Sequence, residues 1–91
     1  MARCPLSLLD DLADVLAEVR AWDGVVEKSP AVFYLRGQPF LHFHLVSGNR
    51  RRADVKSPTG WVPIDLPHRL SAPDRRAFVQ AVRRRYRERG G

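Results

Sequence analysis

The alternation of apolar and polar residues between Phe33 and Lys56 constrains the fold more than any other feature of the chain. Phe33-Tyr34-Leu35 and Phe40-Leu41-His42-Phe43-His44-Leu45 alternate on either side of Arg36-Gly37-Gln38-Pro39. Ala53 and Val55 resume the pattern after Ser47-Gly48-Asn49. A period of two gives each strand one face for a core and one face turned away from it. The second face collects His42, His44, Arg50, Arg52, Asp54 and Lys56, and it is there that function is expected.

Strands are expected near residues 31–36, 40–46, 50–56 and 60–66, divided by Gly37 with Pro39, by Gly48-Asn49 and by Pro58-Thr59-Gly60. Val25 and Val26 suit a short strand that Ser29-Pro30 interrupts. Connections this short favour antiparallel neighbours. Ahead of the strands, Leu8, Leu9, Leu12, Val15, Leu16 and Val19 recur at helical spacing, with Asp10, Asp11, Asp14 and Glu18 between them. A helix over about residues 6–22 with an acidic outer face follows, stopped by Gly24. Behind the strands, Ser71-Ala72-Pro73-Asp74 matches a capping box, and Phe78, Ala81, Val82 and Tyr86 form the buried stripe of a second helix.

The expected fold class is α+β: a two-layer sandwich in which an antiparallel four-stranded meander carries the N- and C-terminal helices on one face. Each helix has one apolar stripe and each strand one apolar face. The expected core is Leu9, Leu12, Leu16, Val19, Phe33, Leu35, Leu41, Phe43, Leu45, Ala53, Val55, Val62, Ile64, Leu66, Phe78 and Val82. A three-residue loop Ser47-Gly48-Asn49 would pair Val46 with Arg50. His44 then faces Arg52, His42 faces Asp54 and Phe40 faces Lys56, while Trp61, Pro63 and Asp65 share the outer side. A slip of one residue would turn the core strand inside out.

Ninety-one residues suit one domain spanning 1–91, large enough to bury about 60–65% of its unfolded surface. No apolar run reaches the roughly 18 residues of a membrane-spanning helix. The start, Met1-Ala2-Arg3-Cys4-Pro5, runs on to Asp10, Asp11 and Asp14 and does not read as a signal peptide. A single cysteine allows no internal disulfide, and a cytoplasmic setting is expected. The net charge of +6 is uneven: residues 1–48 hold four Lys/Arg against six Asp/Glu, residues 49–91 twelve against four. A basic half points to a polyanion partner or to a plain electrostatic bias. Fourteen of the sixteen cations are Arg, which codon composition alone can produce.

His42 and His44 place two imidazoles on one side of a strand, about 7 Å apart. They could begin a metal site with Asp54 as third ligand, or His42 with Asp54 could act as an oriented base. No nucleophile arrangement, Gly-rich phosphate loop or paired-carboxylate motif accompanies them, so no catalytic residue and no cofactor is assigned. Arg50, Arg52 and Lys56 beside Trp61 offer cations with an aromatic ring, a footing for phosphates and a stacked base. On the second helix Arg76, Gln80, Arg83 and Arg87 share a stripe that could track a nucleic-acid backbone, or could simply suit the negative helix end.

Trp22-Asp23-Gly24-Val25, Phe33-Tyr34-Leu35-Arg36-Gly37, Leu41-His42-Phe43-His44, Ala53-Asp54-Val55, Gly60-Trp61-Val62 and Val82-Arg83-Arg84-Arg85-Tyr86 together resemble the small bacterial luciferase-like domain of unknown function, over about residues 20–87. The layout is also similar to the MmcQ/YjbR group, whose α/β fold has been likened to DNA-binding double-wing modules; this chain is shorter and lacks that group's longer helical insert. Both resemblances imply a helix, an antiparallel sheet and a closing helix, and neither implies a reaction. The functional expectation is a non-enzymatic binding module that meets nucleic acid or another anionic partner through an open sheet face. The alternatives are a small-ligand or metal site on His42, His44 and Asp54, and a structural subunit that forms a homodimer through the open face. No membrane partner is expected.

Overall fold

Short turns between alternating strands produce a sheet in which every neighbouring pair is antiparallel. The computed structural model describes residues 2–90, with Ala2 described by its backbone alone. The order of elements is strand β1 (Ala2–Arg3), a 3-10 segment (Leu6–Leu12), helix α1 (Ala13–Ala21), strands β2 (Val25–Ser29), β3 (Val32–Leu35) and β4 (Gln38–Val46), a short turn (Ser47–Asn49), strands β5 (Arg50–Ser57) and β6 (Gly60–Leu66), and helix α2 (Ala72–Glu88). Five strands lie in the order β2-β3-β4-β5-β6, and the two-residue β1 pairs with the far end of β4. The layout is α+β, with β1 and β2 beyond the four strands expected. Val25 to Ser29 forms a full strand because Pro30 lies in the turn rather than in the ladder, and Ala31 completes that turn with φ of 60°. Glu27 secures it by accepting the Ala31 amide at 2.8 Å, while Arg20 of α1 holds the same carboxylate at 2.7 Å.

The turn at residues 47–49 pairs Val46 with Arg50 as expected, and the ladder continues through His44 with Arg52 and His42 with Asp54. Gly48 and Asn49 both take positive φ, which their residue types tolerate. The register breaks at Phe40. Tyr34 pairs with Pro39 and Phe33 with Leu41, so Phe40 is the extra residue of a bulge. It turns into the core, fully buried, with its ring 6.3 Å from that of Tyr86. The expected pairing of Phe40 with Lys56 on the outer face is therefore not formed.

Both helices send their buried side chains into one core with the inward strand residues. From α1 these are Val15, Leu16 and Val19; from α2, Phe78, Val82 and Tyr86. The expected core positions are buried or packed against it, with Leu45, Val62 and Ile64 only half-buried. Cys4, Val15, Ala31, Phe40, Leu70 and Tyr86 join them.

The single helix expected over 6–22 is divided. Leu6–Leu12 is 3-10, with a non-helical Leu9 inside it, and α-helix begins only at Ala13. Arg51 explains the break. Its guanidinium donates to the Leu8 carbonyl at 2.7 Å, so an oxygen that regular helix would direct to its own backbone serves the side chain instead. Arg51 also donates to the carbonyls of Leu66 and Pro67 and pairs with Asp11 at 2.7 and 3.1 Å. Asp11 in turn accepts the Leu70 amide at 2.9 Å. Asp11 thus belongs to an internal tie between the first segment and the end of β6, not to an acidic outer face. The partners of Asp11, foremost Arg51, hold its pKa down to about 2.

Candidate binding face of the sheet

Strand parity builds this face. Residues inward on β4 and β5 are Leu41, Phe43, Ala53 and Val55, so His42, His44, Arg52, Asp54 and Lys56 point the other way. Across β6, Lys56 pairs with Trp61, Asp54 with Pro63 and Arg52 with Asp65. Both helices lie on the core side, and no other element among the described residues covers this face. Trp61 is 41% exposed and Val26 56%.

At its centre the side chains touch one another. The rings of His42 and His44 lie edge to face, with centroids 4.4 Å apart, and Trp61 meets His42 at 4.5 Å. Asp54, almost fully buried, accepts from Arg52 at 3.0 Å and lies 3.3 Å from Nε2 of His44, through the same carboxylate oxygen. Donor atoms of His42, His44 and Asp54 all fall within 4.8 Å of one another. His42 and His44 also line a hollow of about 290 Å³ with Arg3, Val32 and Phe43, where β1 and β3 flank the same edge of β4.

The expected partnership is redirected in one respect. Asp54 stands opposite His42 in the ladder, yet its carboxylate pairs with the diagonal His44 and with Arg52. The charge of Asp54 still raises the His42 pKa, but the net shift is downward. Burial lowers the His42 pKa, the charge of His44 adds to the lowering, Asp54 opposes it, and Arg52 lowers it further. A half-buried imidazole between another imidazole and an indole loses more hydration than one offset carboxylate returns.

Two lysines of the face lie over aromatic rings. The Lys56 ammonium lies 5.0 Å from the Trp61 ring centre. At the far side Lys28 of β2 lies 4.8 Å from the ring of Tyr34. Arg50 is exposed at the end of β5, with its Nε donating to the Ser47 carbonyl at 3.1 Å. Lys28 escaped the sequence reading because β2 was expected to stop short of it. Tyr34 was legible as an outward residue from its alternation with Phe33 and Leu35. Arg3 carried no sequence signal, since a two-residue strand has no period to read.

The expected site residues fall into two groups. His42, His44, Arg50, Arg52, Asp54, Lys56 and Trp61 share the outer sheet face. Arg76, Arg83 and Arg87 belong to α2, on the core side of the sheet, and do not join them. Arg83 is turned toward α1, 3.9 Å from Glu18 and over the Trp22 ring at 5.6 Å, which makes it part of the helix packing. Arg76 and Arg87 remain exposed.

No family model matches the chain, and comparisons with curated proteins and with solved structures give no match.

Proposed function

We propose that the chain is a binding module that takes a polyanion, single-stranded nucleic acid foremost, on the open face of its sheet. The observation that carries the reading is the pairing of an aromatic ring with a lysine at each side of that face: Tyr34 with Lys28 and Trp61 with Lys56. The two rings are three strands apart, a span of about 14 Å at ordinary strand spacing. Flat rings accept bases by stacking, and the ammonium beside each can meet a phosphate. Arg50 and Arg3 add positive charge at the margins of the face. The uneven charge, +8 for residues 49–91, favours the same class of partner.

A labelled single strand titrated at about 50 and 200 mM salt tests this. Binding weakens steeply with salt, because phosphate neutralisation releases counterions. Trp61→Ala and Tyr34→Ala each weaken binding by about 1–3 kcal/mol, the usual worth of one base–aromatic stack. Arg50→Ser with Lys56→Ser lowers both affinity and salt slope. An absence of binding at the lower salt, or unchanged binding by these variants, removes the reading.

A further inference from the structure

The geometry points to a divalent transition-metal site of the zinc class built from His42, His44 and Asp54, with one coordination position open toward the hollow beside the two histidines. Two imidazoles and a carboxylate are a donor set that suits zinc and its neighbours rather than calcium or magnesium. Metal binding here stands apart from polyanion binding by the same face, since its donors are not the lysines and arginines.

The spacing is close to what an ion requires. Two donors on a tetrahedral zinc, each at about 2.0–2.1 Å, sit about 3.4 Å from one another. His44 Nε2 and Asp54 Oδ2 are already 3.3 Å apart. The widest separation in the group, within 4.8 Å, closes with small side-chain rotations. The backbone does the rest: His42 and His44 are two apart on β4, and the ladder sets Asp54 beside both.

The surroundings are also those of a supported site. Arg52 donates to Asp54 at 3.0 Å, which fixes the carboxylate as outer partners commonly do for metal ligands. His44 Nδ1 is buried and has no hydrogen-bond partner among the described residues, so that ring is engaged only through Nε2, by Asp54. The hollow of about 290 Å³, lined by both histidines but not by Asp54, adjoins the site and offers room for water or a small ligand. No fourth protein ligand is at hand among the described residues: His68 Nε2 is 2.9 Å from the Asn49 carbonyl, and Cys4 is buried in the core. Three ligands with an open position is the pattern of reactive zinc, not of a closed structural site.

The test uses the full chain, stripped with a chelator and titrated with Zn²⁺ by calorimetry and with Co²⁺ by visible absorption. One ion binds per chain, and Co²⁺ develops the d–d bands of a low-coordinate nitrogen–oxygen site. His42→Ala, His44→Ala and Asp54→Asn each weaken Zn²⁺ binding at least about tenfold, the smallest loss usual even for an outer-sphere partner. His68→Ala leaves it unchanged, as does Arg50→Ser with Lys56→Ser, whatever the nucleic-acid titration shows. In the wild type, Zn²⁺ shifts the ring NMR signals of His42 and His44 and leaves those of His68 in place, a readout independent of any variant's folding. Lack of stoichiometric uptake, shifts confined to His68, or folded His42, His44 and Asp54 variants that bind as well as the wild type would overturn the site.

Discussion

Arg51 reaches Asp11 across forty residues of sequence, with its two terminal guanidinium nitrogens each donating to one carboxylate oxygen, at 2.7 and 3.1 Å. Arg51 is 1% exposed, which makes it the largest fully buried side chain of the described residues. A planar fork with five donors is what allows one side chain to serve Asp11 and the carbonyls of Leu8, Leu66 and Pro67 together. Removing it leaves a carboxylate and three carbonyls without that donor. Arg51→Met is therefore expected to cost about 3–5 kcal/mol in chemical denaturation. Arg51→Lys should recover only part of this, since an ammonium keeps the charge but not the fork.

The same pair sets an acid limit on stability. The folded Asp11 carboxyl is held at about 2, below its ordinary 3.8. A depressed folded pKa contributes stability above the unfolded value and loses it as pH falls through the folded one. The contribution, about 2 kcal/mol, is present at neutral pH and fades between about pH 4 and pH 2. Urea midpoints measured down that range should converge for the wild type and Asp11→Asn; parallel curves would show that Asp11 is not the group responsible.

Phe40 gives a sharp test of the bulge. Turned inward against Tyr86, its ring supports the core, and Phe40→Ala should cost about 3–5 kcal/mol. Trp61→Ala, on the outer face, should change stability by less than about 1 kcal/mol. Were Phe40 outside, the two variants would unfold alike.

His42 offers a reading of the face in the metal-free protein. Its imidazole should titrate below a free histidine, because burial, the largest cause, favours the neutral form. Asp54→Asn should lower it further, since Asp54 opposes the shift. The unfolded chain then takes up the proton first, so this residue's share of stability declines as pH drops below the ordinary histidine range. Ring carbon–proton spectra across pH decide it, and a His42 value above that of free histidine would contradict the packing described.

Much of this architecture was legible because strand alternation and turn chemistry are local. Ser47-Gly48-Asn49 and the requirement that Leu41, Phe43, Ala53 and Val55 share a side were enough to place His42 opposite Asp54 and His44 opposite Arg52. The misreadings arise where a side chain answers to distant partners. Arg51 has the parity of Ala53 and Val55, so its inward direction was written in the alternation; its charge hid it. Phe40 followed by Leu41 breaks the period, the mark of a bulge, but nothing nearby says that Tyr86 is waiting. Which of two histidines Asp54 would choose depends on side-chain angles that no period encodes.

Pro63 sits at the middle of β6, the last strand on its side of the sheet. It has no N–H, so a strand arriving from another molecule would find a missing rung there. At the opposite border β2 is broken by an irregularity between Glu27 and Ser29 and carries Lys28. Neither border invites the sheet to grow sideways. Fibre-like stacking of copies edge to edge is thus discouraged at both ends, which leaves the plane that carries the histidines and the two lysine-capped rings as the accessible side of the sheet.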